Sequence, residues 1–292
     1  MKFKVRHLTS YHYSEPVPLS HHAAHLRPRT DTKQRHHTVD VVVRPFPAVL
    51  RDDGTDYFGN PTTFFTIQDP HATLEIEASF TVETNPAPTL PANGGGPWEA
   101  VRARLAADND PHVERALDFV YASSQVPRLA EALAYAEPSF TPGRPLTEAA
   151  LDLVSRIHAD FTFDPDATAV GIPLATVFED RRGVCQDFAH VGIACLRAMG
   201  LAARYVSGYI RTLAPPGKEK LQGADASHAW LAVFIPEWGW LDVDPTNDMV
   251  AGEDHVIVAW GRDYDDVSPI RGVVLGGGEH HVEVAVDVNE LT

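Results

Sequence analysis

The chain has 292 residues, of which 44% are hydrophobic and 22% are charged, and its formal net charge is −16. This composition excludes a wholly disordered protein and a small disulfide-stapled one, and the acidic balance makes nucleic acid and anionic membranes poor partners. The two cysteines, Cys185 and Cys195, suit a reducing cytoplasm. Because the N-terminus lacks a signal-peptide pattern and no run approaches the roughly 20 apolar residues that cross a bilayer, we expect a cytoplasmic protein.

Alternating apolar and polar residues predict β-strands throughout the first 83 residues. The alternation has a period of two at residues 3–13 and 39–43, and residues 64–67 and 74–78 are predicted as further strands. Between two of them, Gly59 and Asn60 tolerate positive φ and Pro61 stops strand pairing, which is typical of a turn. We therefore predict a small antiparallel β domain, sandwich-like or barrel-like, over residues 1–83.

A change in composition separates this region from the rest of the chain. Residues 84–97 contain four prolines and three consecutive glycines, which predict a linker. Residues 98–136 are rich in Ala, Leu, Glu and Arg at helical spacing, and Thr147 is predicted to cap a further helix. The predicted units are thus a β domain over 1–83, a linker over 84–97 and a core with C-terminal strands over 98–292.

The core is predicted to combine helices with an antiparallel sheet, which is an α+β arrangement. A helix is expected over residues 185–199, because its apolar side chains form one stripe and Gly200 can end it. The segment Leu213–Ala226 contains Pro215, Pro216 and Gly217 and is predicted to be a mobile surface loop. Strands are predicted at residues 204–210, 228–235, 240–243, 256–260 and 281–288.

Cys185 is the first candidate for a chemical role, because it follows Gly183 and begins the predicted helix. Unpaired N–H groups and the helix dipole stabilise a thiolate at such a position, and the same N–H groups can hold an oxyanion. The alternative is a small buried hydrophobic residue, which is the commonest fate of a free cysteine. Cys195 lies inside the helix on its apolar stripe, and there the buried alternative is favoured.

A predicted hairpin brings a histidine and a carboxylate towards each other. His228 begins one strand, residues 236–239 turn the chain, and Asp244 ends the return strand. Because residues symmetric about a hairpin turn face each other, Asp244 is expected to be a near cross-strand neighbour of His228, whereas Asp242 lies at the wrong height. Each residue alone is explained as an ordinary strand-end residue, but their shared placement downstream of Cys185 favours a joint site.

A thiol, an imidazole and a carboxylate together suit acyl transfer. The thiolate attacks an amide or ester carbonyl, the imidazolium protonates the leaving amine, and the carboxylate orients the imidazole. The acyl-thioester then passes to water or to an amine. The backbone N–H of Cys185 is one candidate oxyanion donor, and Gln186, Trp230 and Thr162 are alternatives for the second, among which the sequence does not choose.

Three motifs, in this order, resemble the bacterial transglutaminase-like superfamily, which has a papain-like Cys-His-Asp site. They are Gly183-Val184-Cys185-Gln186-Asp187-Phe188-Ala189, Ser227-His228-Ala229-Trp230 and Asp244-Pro245-Thr246-Asn247. The N-terminal region is similar to the β domain that precedes the core in one bacterial branch, in Arg6-His7-Leu8-Thr9, Leu26-Arg27-Pro28-Arg29 and Asp56-Tyr57-Phe58-Gly59-Asn60. Residues 261–269 are similar to that branch's C-terminal segment, and residues 84–146 are largely outside the resemblance.

The resemblance implies a fold and a role for each of the three residues. The implied fold is an N-terminal antiparallel β domain followed by a papain-like or transglutaminase-like core with helices packed on an antiparallel sheet. Cys185 would be the nucleophile, His228 the general acid and base, and Asp244 the orienting carboxylate. Relatives of this kind include transglutaminases, cysteine proteases and inactive proteins, so the resemblance leaves the activity open.

Metal sites find less support in the sequence. The pairs His21-His22, His36-His37 and His280-His281 would point to opposite faces of a strand, and none has further ligands at the spacing of a known site. The acidic segment 263–266 lacks the EF-hand pattern, so a solvated loop is favoured over a calcium site. We therefore expect neither a metal nor a cofactor.

The sequence thus predicts a cofactor-independent enzyme that acts on amide bonds of peptide or protein substrates through Cys185, His228 and Asp244. The predicted reaction is thiol-dependent acyl transfer or hydrolysis at peptide or isopeptide bonds. Hydrolysis is favoured over crosslinking, because nothing in the sequence marks a site that delivers a lysine. The alternative is a non-catalytic binding or scaffold protein that retains the fold, and the intact set of three side chains weighs against it.

Overall fold

The computed structural model of the chain describes residues 1–91, 93–107, 110–165, 172–212 and 227–291. Within these ranges the chain forms three antiparallel sheets, one parallel pair of short strands and seven α-helices. The predicted α+β class is confirmed. The predicted loop Leu213–Ala226 lies outside the described residues.

Two four-stranded sheets pack against each other in the N-terminal region. Apolar side chains from both sheets, among them Ala24, Phe65, Leu74 and Ile76, are fully buried in one cluster. The period-two pattern has this outcome because alternate residues of each strand face the partner sheet. The strands contributed by this region are β1 (Lys2–Val17), β2 (Leu19–Ala24), β3 (Gln34–Arg44), β4 (Val49–Thr55), β5 (Pro61–Ile67) and β6 (His71–Thr84).

Helices follow this region, and the segment 98–136 forms several short ones rather than one long one. Two turns of 3-10 helix, at residues 117–119 and 137–139, directly follow two of these short helices. The α-helices are α1 (Trp98–Ala107), α2 (Pro111–Ala116), α3 (Ala130–Ala136), α4 (Leu146–Asp160), α5 (Leu174–Asp180), α6 (Cys185–Ala198) and α7 (Tyr264–Val267).

The prediction that Thr147 caps a helix is wrong. Helix α4 begins one residue earlier, at Leu146, and its N-terminus has no side-chain cap. The backbone N–H groups of Leu146 and Thr147 bind the carbonyls of Gly96 and Gly94, and the Thr147 hydroxyl also donates to Gly94 at 3.0 Å. The carbonyls of the glycine-rich segment therefore accept hydrogen bonds from the first turn of α4. In other helices a capping side chain often provides such an acceptor.

A five-stranded antiparallel sheet forms the centre of the core, in the order β12-β11-β10-β9-β13. Helix α6 packs on one face of it. A Cβ on Gly192 would lie 2.3 Å from Leu231 Cδ2, so this glycine allows the helix to approach the sheet closely. The core strands are β7 (Thr162–Phe163), β8 (Arg182–Gly183), β9 (Ala203–Ile210), β10 (Ser227–Ile235), β11 (Gly239–Asp244), β12 (Met249–Val250) and β13 (His255–Gly261).

The last two strands of the chain join the N-terminal sheets. Strand β14 (Ile270–Leu275) pairs with β2, and β15 (His280–Glu290) pairs with β1. The sheet orders are therefore β14-β2-β5-β4 and β15-β1-β6-β3. This pairing corrects the grouping of the C-terminal strands with the core over 98–292, because the periodicity of a strand shows which face is buried but not which sheet the strand joins.

Two buried amide side chains attach the N-terminal region to the edge of the core sheet. Gln34 donates to the carbonyl of Ile257 at 2.6 Å and accepts from its N–H at 2.7 Å. Asn60 donates to the carbonyl of Trp260 at 2.8 Å and accepts from its N–H at 2.9 Å. Each amide thus takes the place of a neighbouring strand beside β13 and leaves no unpaired backbone groups at those residues. The N-terminal region is thereby fixed against the core.

Candidate active site

Cys185 is the first residue of α6 and its side chain is half-buried. The helix end is built around the Asp187 carboxylate, whose Oδ2 accepts from the backbone N–H of Val184 at 2.8 Å. A Cβ on Gly183 would lie 2.6 Å from that same oxygen, so the glycine allows the carboxylate to approach the backbone closely. The thiol therefore stands beside the unpaired N–H groups of the first helical turn.

The hairpin of β10 and β11 brings His228 next to Asp244. The register pairs Leu231 with Val243 and Ala232 with Asp242, so Asp244 lies nearer the open end of the hairpin than Asp242 does. The His228 Nε2 atom donates to Asp244 Oδ2 at 2.7 Å. The Cys185 side chain lies near enough to His228 to help raise the pKa of the imidazole through hydrogen bonding and charge. The structure thus brings Cys185, His228 and Asp244 together, with the histidine between the other two.

The Asp244 carboxylate is completely buried and receives five hydrogen bonds. Three reach Oδ2, from His228 at 2.7 Å, from Asn247 Nδ2 at 2.7 Å and from His255 Nε2 at 3.2 Å. Two reach Oδ1, from the backbone N–H groups of Thr246 at 2.9 Å and Asn247 at 3.3 Å. These bonds fix the carboxylate in one orientation, because each oxygen is held from more than one direction.

The electrostatics of the cluster favour a charged histidine and a charged carboxylate. Burial opposes the positive charge of His228, but the hydrogen bonds and negative charges of Asp244 and Cys185 outweigh it and raise the pKa of His228 to about 9. Burial likewise opposes the charge of Asp244, but the bonds from His228 and His255 hold its pKa well below the usual range of a carboxyl. At neutral pH the pair is an imidazolium and a carboxylate.

Asn247 and His255 belong to this cluster, and the sequence analysis assigned neither of them a role. His255 lies on β13, which is separated from β10 by β9. Its Nδ1 accepts from the N–H of Gly252 at 3.3 Å, which leaves the proton on Nε2 for Asp244. Asn247 lies in the motif Asp244-Pro245-Thr246-Asn247, and its short spacing from Asp244 could have indicated that its side chain contacts the carboxylate. Nothing in the sequence links His255 to the hairpin.

The candidate oxyanion donors differ in position. Gln186 is the second residue of α6 and is half-buried beside Cys185. Thr162 lies on β7, which pairs in parallel with β8 just before Cys185. Trp230 has no exposed surface, and its ring stacks on His228 with centroids 5.9 Å apart. Its indole Nε1 is buried without a hydrogen-bond partner, and its role as an oxyanion donor stays a prediction.

The second cysteine has a different environment. Cys195 is fully buried on the inner side of α6, and burial raises the pKa of its thiol far above the ordinary value. The two thiols lie on one helix, and Cys185 is the one that contributes to the raised pKa of His228. The prediction of a buried, inert Cys195 agrees with this position.

Among the described residues, one group of three ligand-type side chains has its ligand atoms within 4.8 Å of one another, namely His228, Asp244 and His255. Their contacts form a complete hydrogen-bond network, because each histidine donates to the carboxylate. In the acidic segment, Asp263 and Asp265 accept from Gln125 and Asp266 accepts from Arg262. Protein donors therefore occupy the carboxylates for which the sequence analysis considered calcium.

Comparisons with known proteins match both halves of the chain. The model of the bacterial transglutaminase-like N-terminal region matches residues 3–83, and that of the transglutaminase-like superfamily matches residues 134–245. An uncharacterized protein of Mycobacterium tuberculosis is 40% identical over 296 residues, which cover 98% of this chain and 92% of that protein. A protein-glutamine gamma-glutamyltransferase of Pseudomonas aeruginosa is 39% identical over 87 residues, which cover 30% of this chain and 13% of that protein.

A solved structure agrees over the whole length. It is described as a "Putative Cysteine Protease from Cytophaga hutchinsonii", and it matches with a TM-score of 0.72 and 21% identity over 100% of this chain and 92% of that one. This likeness concerns the fold, and it confirms the expected arrangement of a β domain followed by a transglutaminase-like core. No described helix of the present chain is long and apolar enough to span a membrane.

Proposed function

The chain belongs to the transglutaminase-like superfamily, and from this premise we propose that it is an enzyme that cleaves or transfers acyl groups at amide bonds through Cys185. The observation that carries the proposal is the position of His228. Its ring lies between the Cys185 thiol and the buried Asp244 carboxylate, at the N-terminus of α6. A scaffold has no physical requirement for this arrangement, whereas thiol-dependent acyl transfer requires all three groups.

The first half of the proposed reaction forms an acyl-thioester. The Cys185 thiolate adds to the carbonyl carbon of an amide, and the backbone N–H groups at the start of α6 stabilise the negative charge on oxygen. The C–N bond then breaks, and the leaving amine takes the proton carried by the His228 imidazolium. Gln186 is the side chain that stands beside this position as a second donor to the oxyanion.

The second half of the reaction releases the acyl group. Neutral His228 accepts a proton from water, the oxygen adds to the thioester carbonyl, and the C–S bond breaks to give a carboxylic acid and the free thiolate. An amine in place of water gives a new amide instead, which is crosslinking. We propose hydrolysis of peptide or isopeptide bonds as the main reaction, in line with the sequence analysis, and peptides or proteins as substrates.

The decisive experiment offers a glutamine-containing peptide library and a fluorescent primary amine to the wild-type protein. Mass spectrometry of the products separates the two outcomes, because hydrolysis of a peptide bond adds the elements of water, hydrolysis of a glutamine side chain exchanges ammonia for water, and crosslinking exchanges ammonia for the fluorescent amine. We expect hydrolysis products and a Cys185-linked acyl-enzyme in the intact-protein spectrum. The Cys185→Ala variant should lose both while keeping its circular dichroism spectrum.

A matched control comes from the other cysteine of the same helix. The Cys195→Ala variant removes a thiol without touching His228, so its turnover should remain close to that of the wild-type protein. Turnover that survives in Cys185→Ala, or that is lost equally in Cys195→Ala, would contradict the proposed nucleophile. A protein that forms no acyl-enzyme with any amide or ester would favour the scaffold reading.

A further inference from the structure

A large cavity lies away from Cys185, between the N-terminal region and the core. Its volume is about 1460 Å³. Its walls come from residues 29–33 and 57–58 of the N-terminal region, from residues 85–89, from helices α1 and α2 and from the core sheet. The wall is rich in aromatic side chains, which include Phe58, Phe119, Trp238, Trp240 and Trp260. Such a concave, aromatic-lined surface at a domain boundary is where ligands commonly bind.

One charged side chain in this wall is almost completely buried. Arg204 lies on β9, is 5% exposed and lines the cavity. Its guanidinium carbon is 3.7 Å from the ring centroid of Trp260 on β13 and 4.4 Å from that of Trp240 on β11. The two indoles thus approach it from strands on opposite sides of β9. On Trp260 a second guanidinium, that of Arg29, stacks at 3.5 Å.

The Arg204 guanidinium has no acceptor among the described residues. Its Nε atom is buried without a hydrogen-bond partner. Asp242 attracts it electrostatically, but the Asp242 carboxylate binds Lys33 at 2.7 Å instead. The structure gives other cations of the wall polar partners, since Arg104 binds Glu237 at 2.9 Å and Arg29 binds Asn60 at 2.6 Å. A buried arginine without a hydrogen-bond acceptor is expensive, because its N–H groups have lost water and the charges of Asp242 and Asp31 act on it only from a distance.

The charge of Arg204 persists at neutral pH. Burial lowers its pKa to about 10, which is still well above neutrality. Arg204 therefore lines the cavity as a cation at neutral pH, and a planar oxyanion can accept two N–H groups of a guanidinium at once.

We propose that the cavity binds a ligand carrying a single carboxylate, which pairs with Arg204, while an apolar or aromatic group of the ligand rests against the surrounding rings. A singly charged group fits better than a phosphate, because Asp31, Asp110, Asp118 and Glu237 line the cavity beside its cations and offset much of their positive charge. The carboxylate can belong to a peptide C-terminus or to a small organic acid, since both offer the same planar anion.

This site is separate from the proposed catalytic cluster. Arg204 pairs with Ala232 of β10, and His228 lies four residues earlier on that strand. At about 3.3 Å per residue the two positions are about 13 Å apart along the strand. Between them the fully buried Trp230 fills the space. Binding in the cavity therefore requires no turnover and should be unchanged in Cys185→Ala, so a failure of this proposal is distinguishable from a failure of the proposed function.

The test compares N-acetyl-phenylalanine with its amide, two probes that differ only in the carboxylate. Isothermal titration of the full chain and the fluorescence of its tryptophans should both report binding of the acid. We expect the amide to bind at least tenfold more weakly. In Arg204→Met the ratio of acid to amide affinity should fall below twofold. Arg204→Lys keeps the charge but not the planar pair of donors, so its ratio should lie between those of the wild-type protein and Arg204→Met.

One control variant and three further ligands complete the design. Arg211→Gln removes one positive charge outside the cavity, where Arg211 binds Asp254 and Glu290, and it should keep the full preference. Comparing the affinity of a dipeptide that has a free C-terminal carboxylate with that of phenylacetate distinguishes a peptide C-terminus from a small organic acid as the ligand. Phenyl phosphate should bind no more tightly than either. No saturable binding of any acid by the wild-type protein, or a preference that survives in both folded Arg204 variants, would overturn the proposal.

Discussion

Two polar clusters lie on the same core sheet and differ in how their charges are balanced. Around Asp244 every charge has a partner: the carboxylate receives five hydrogen bonds and the imidazolium of His228 has an acceptor. Around Arg204 the guanidinium has aromatic neighbours but no acceptor among the described residues. The first cluster is complete without a ligand and is held in one geometry, whereas the second gains a hydrogen-bonded acceptor only when something binds.

The largest expected effect comes from breaking the balanced cluster at its carboxylate. In Asp244→Asn the amide cannot stabilise the imidazolium of His228, so acyl turnover should fall by about 10⁴ while the fold persists. Steady-state kinetics together with circular dichroism would measure this. Asp242→Asn, two residues earlier on the same strand, is the matched control and should leave turnover close to that of the wild-type protein. Equal losses in the two variants would remove Asp244 from the site.

The pH dependence of stability should reveal the charged histidine. The pKa of His228 is raised from 6.5 to about 9, so the folded state holds this proton more tightly than the unfolded state does. The resulting stabilisation is complete below about pH 6.5 and is lost as the pH rises through about 9. Its size is on the order of 3 kcal/mol. Urea denaturation between pH 6 and 10 should show this loss in the wild-type protein and a flatter profile in His228→Gln; identical profiles would contradict the ion pair.

These two predictions rest on features that the sequence already indicated. The glycine before Cys185, the apolar stripe of α6 and the turn between β10 and β11 are local patterns, so the helix start and the hairpin could be placed from neighbouring residues alone. The distance between His228 and Asp244 follows from hairpin register. The matches over residues 3–83 and 134–245 agree with the motifs from which the family was predicted.

Features that depend on distant contacts were beyond the sequence. His255 reaches Asp244 from β13 across β9, and β14 and β15 return to the N-terminal sheets, yet no local pattern specifies a pairing partner. Thr147 is of a residue type that commonly caps helices, but at this helix start glycine carbonyls accept the hydrogen bonds of the first turn instead. Arg204 looked like an ordinary strand residue, because its burial depends on Trp240 and Trp260 from other strands.

His255 offers a smaller test of how the balanced cluster is held. His255→Phe keeps a ring against Trp230, whose centroid lies 5.1 Å away, but removes one donor to Asp244. Because that donor helps to lower the pKa of Asp244, its loss should raise the pH at which acid unfolding begins. Turnover should fall about tenfold, as for a residue that positions the carboxylate. The exposed His281, changed to Gln, is the control and should move neither quantity.

The smallest expected effect concerns the unbalanced cluster. Arg204→Met removes a buried charge that has no hydrogen-bonded acceptor, and this gain offsets the loss of two cation–π contacts. The free energy of unfolding should therefore stay within about 1 kcal/mol of the wild-type value. Chemical denaturation without added acid would measure it. A loss of more than about 3 kcal/mol would indicate that Arg204 has a structural partner and would remove the contrast between the clusters.

The reactivity of Cys185 tests the balanced cluster most directly. The measurement is its alkylation by iodoacetamide as a function of pH, read by peptide mass spectrometry in the wild-type protein and in His228→Ala, with the buried Cys195 as the internal control. We predict rapid labelling of Cys185 at pH 6. The labelling rate should fall at least tenfold in the variant, and Cys195 should stay unlabelled in both proteins. Equal labelling in both proteins, with the rate rising only at alkaline pH as for a free thiol, would contradict a thiolate–imidazolium pair.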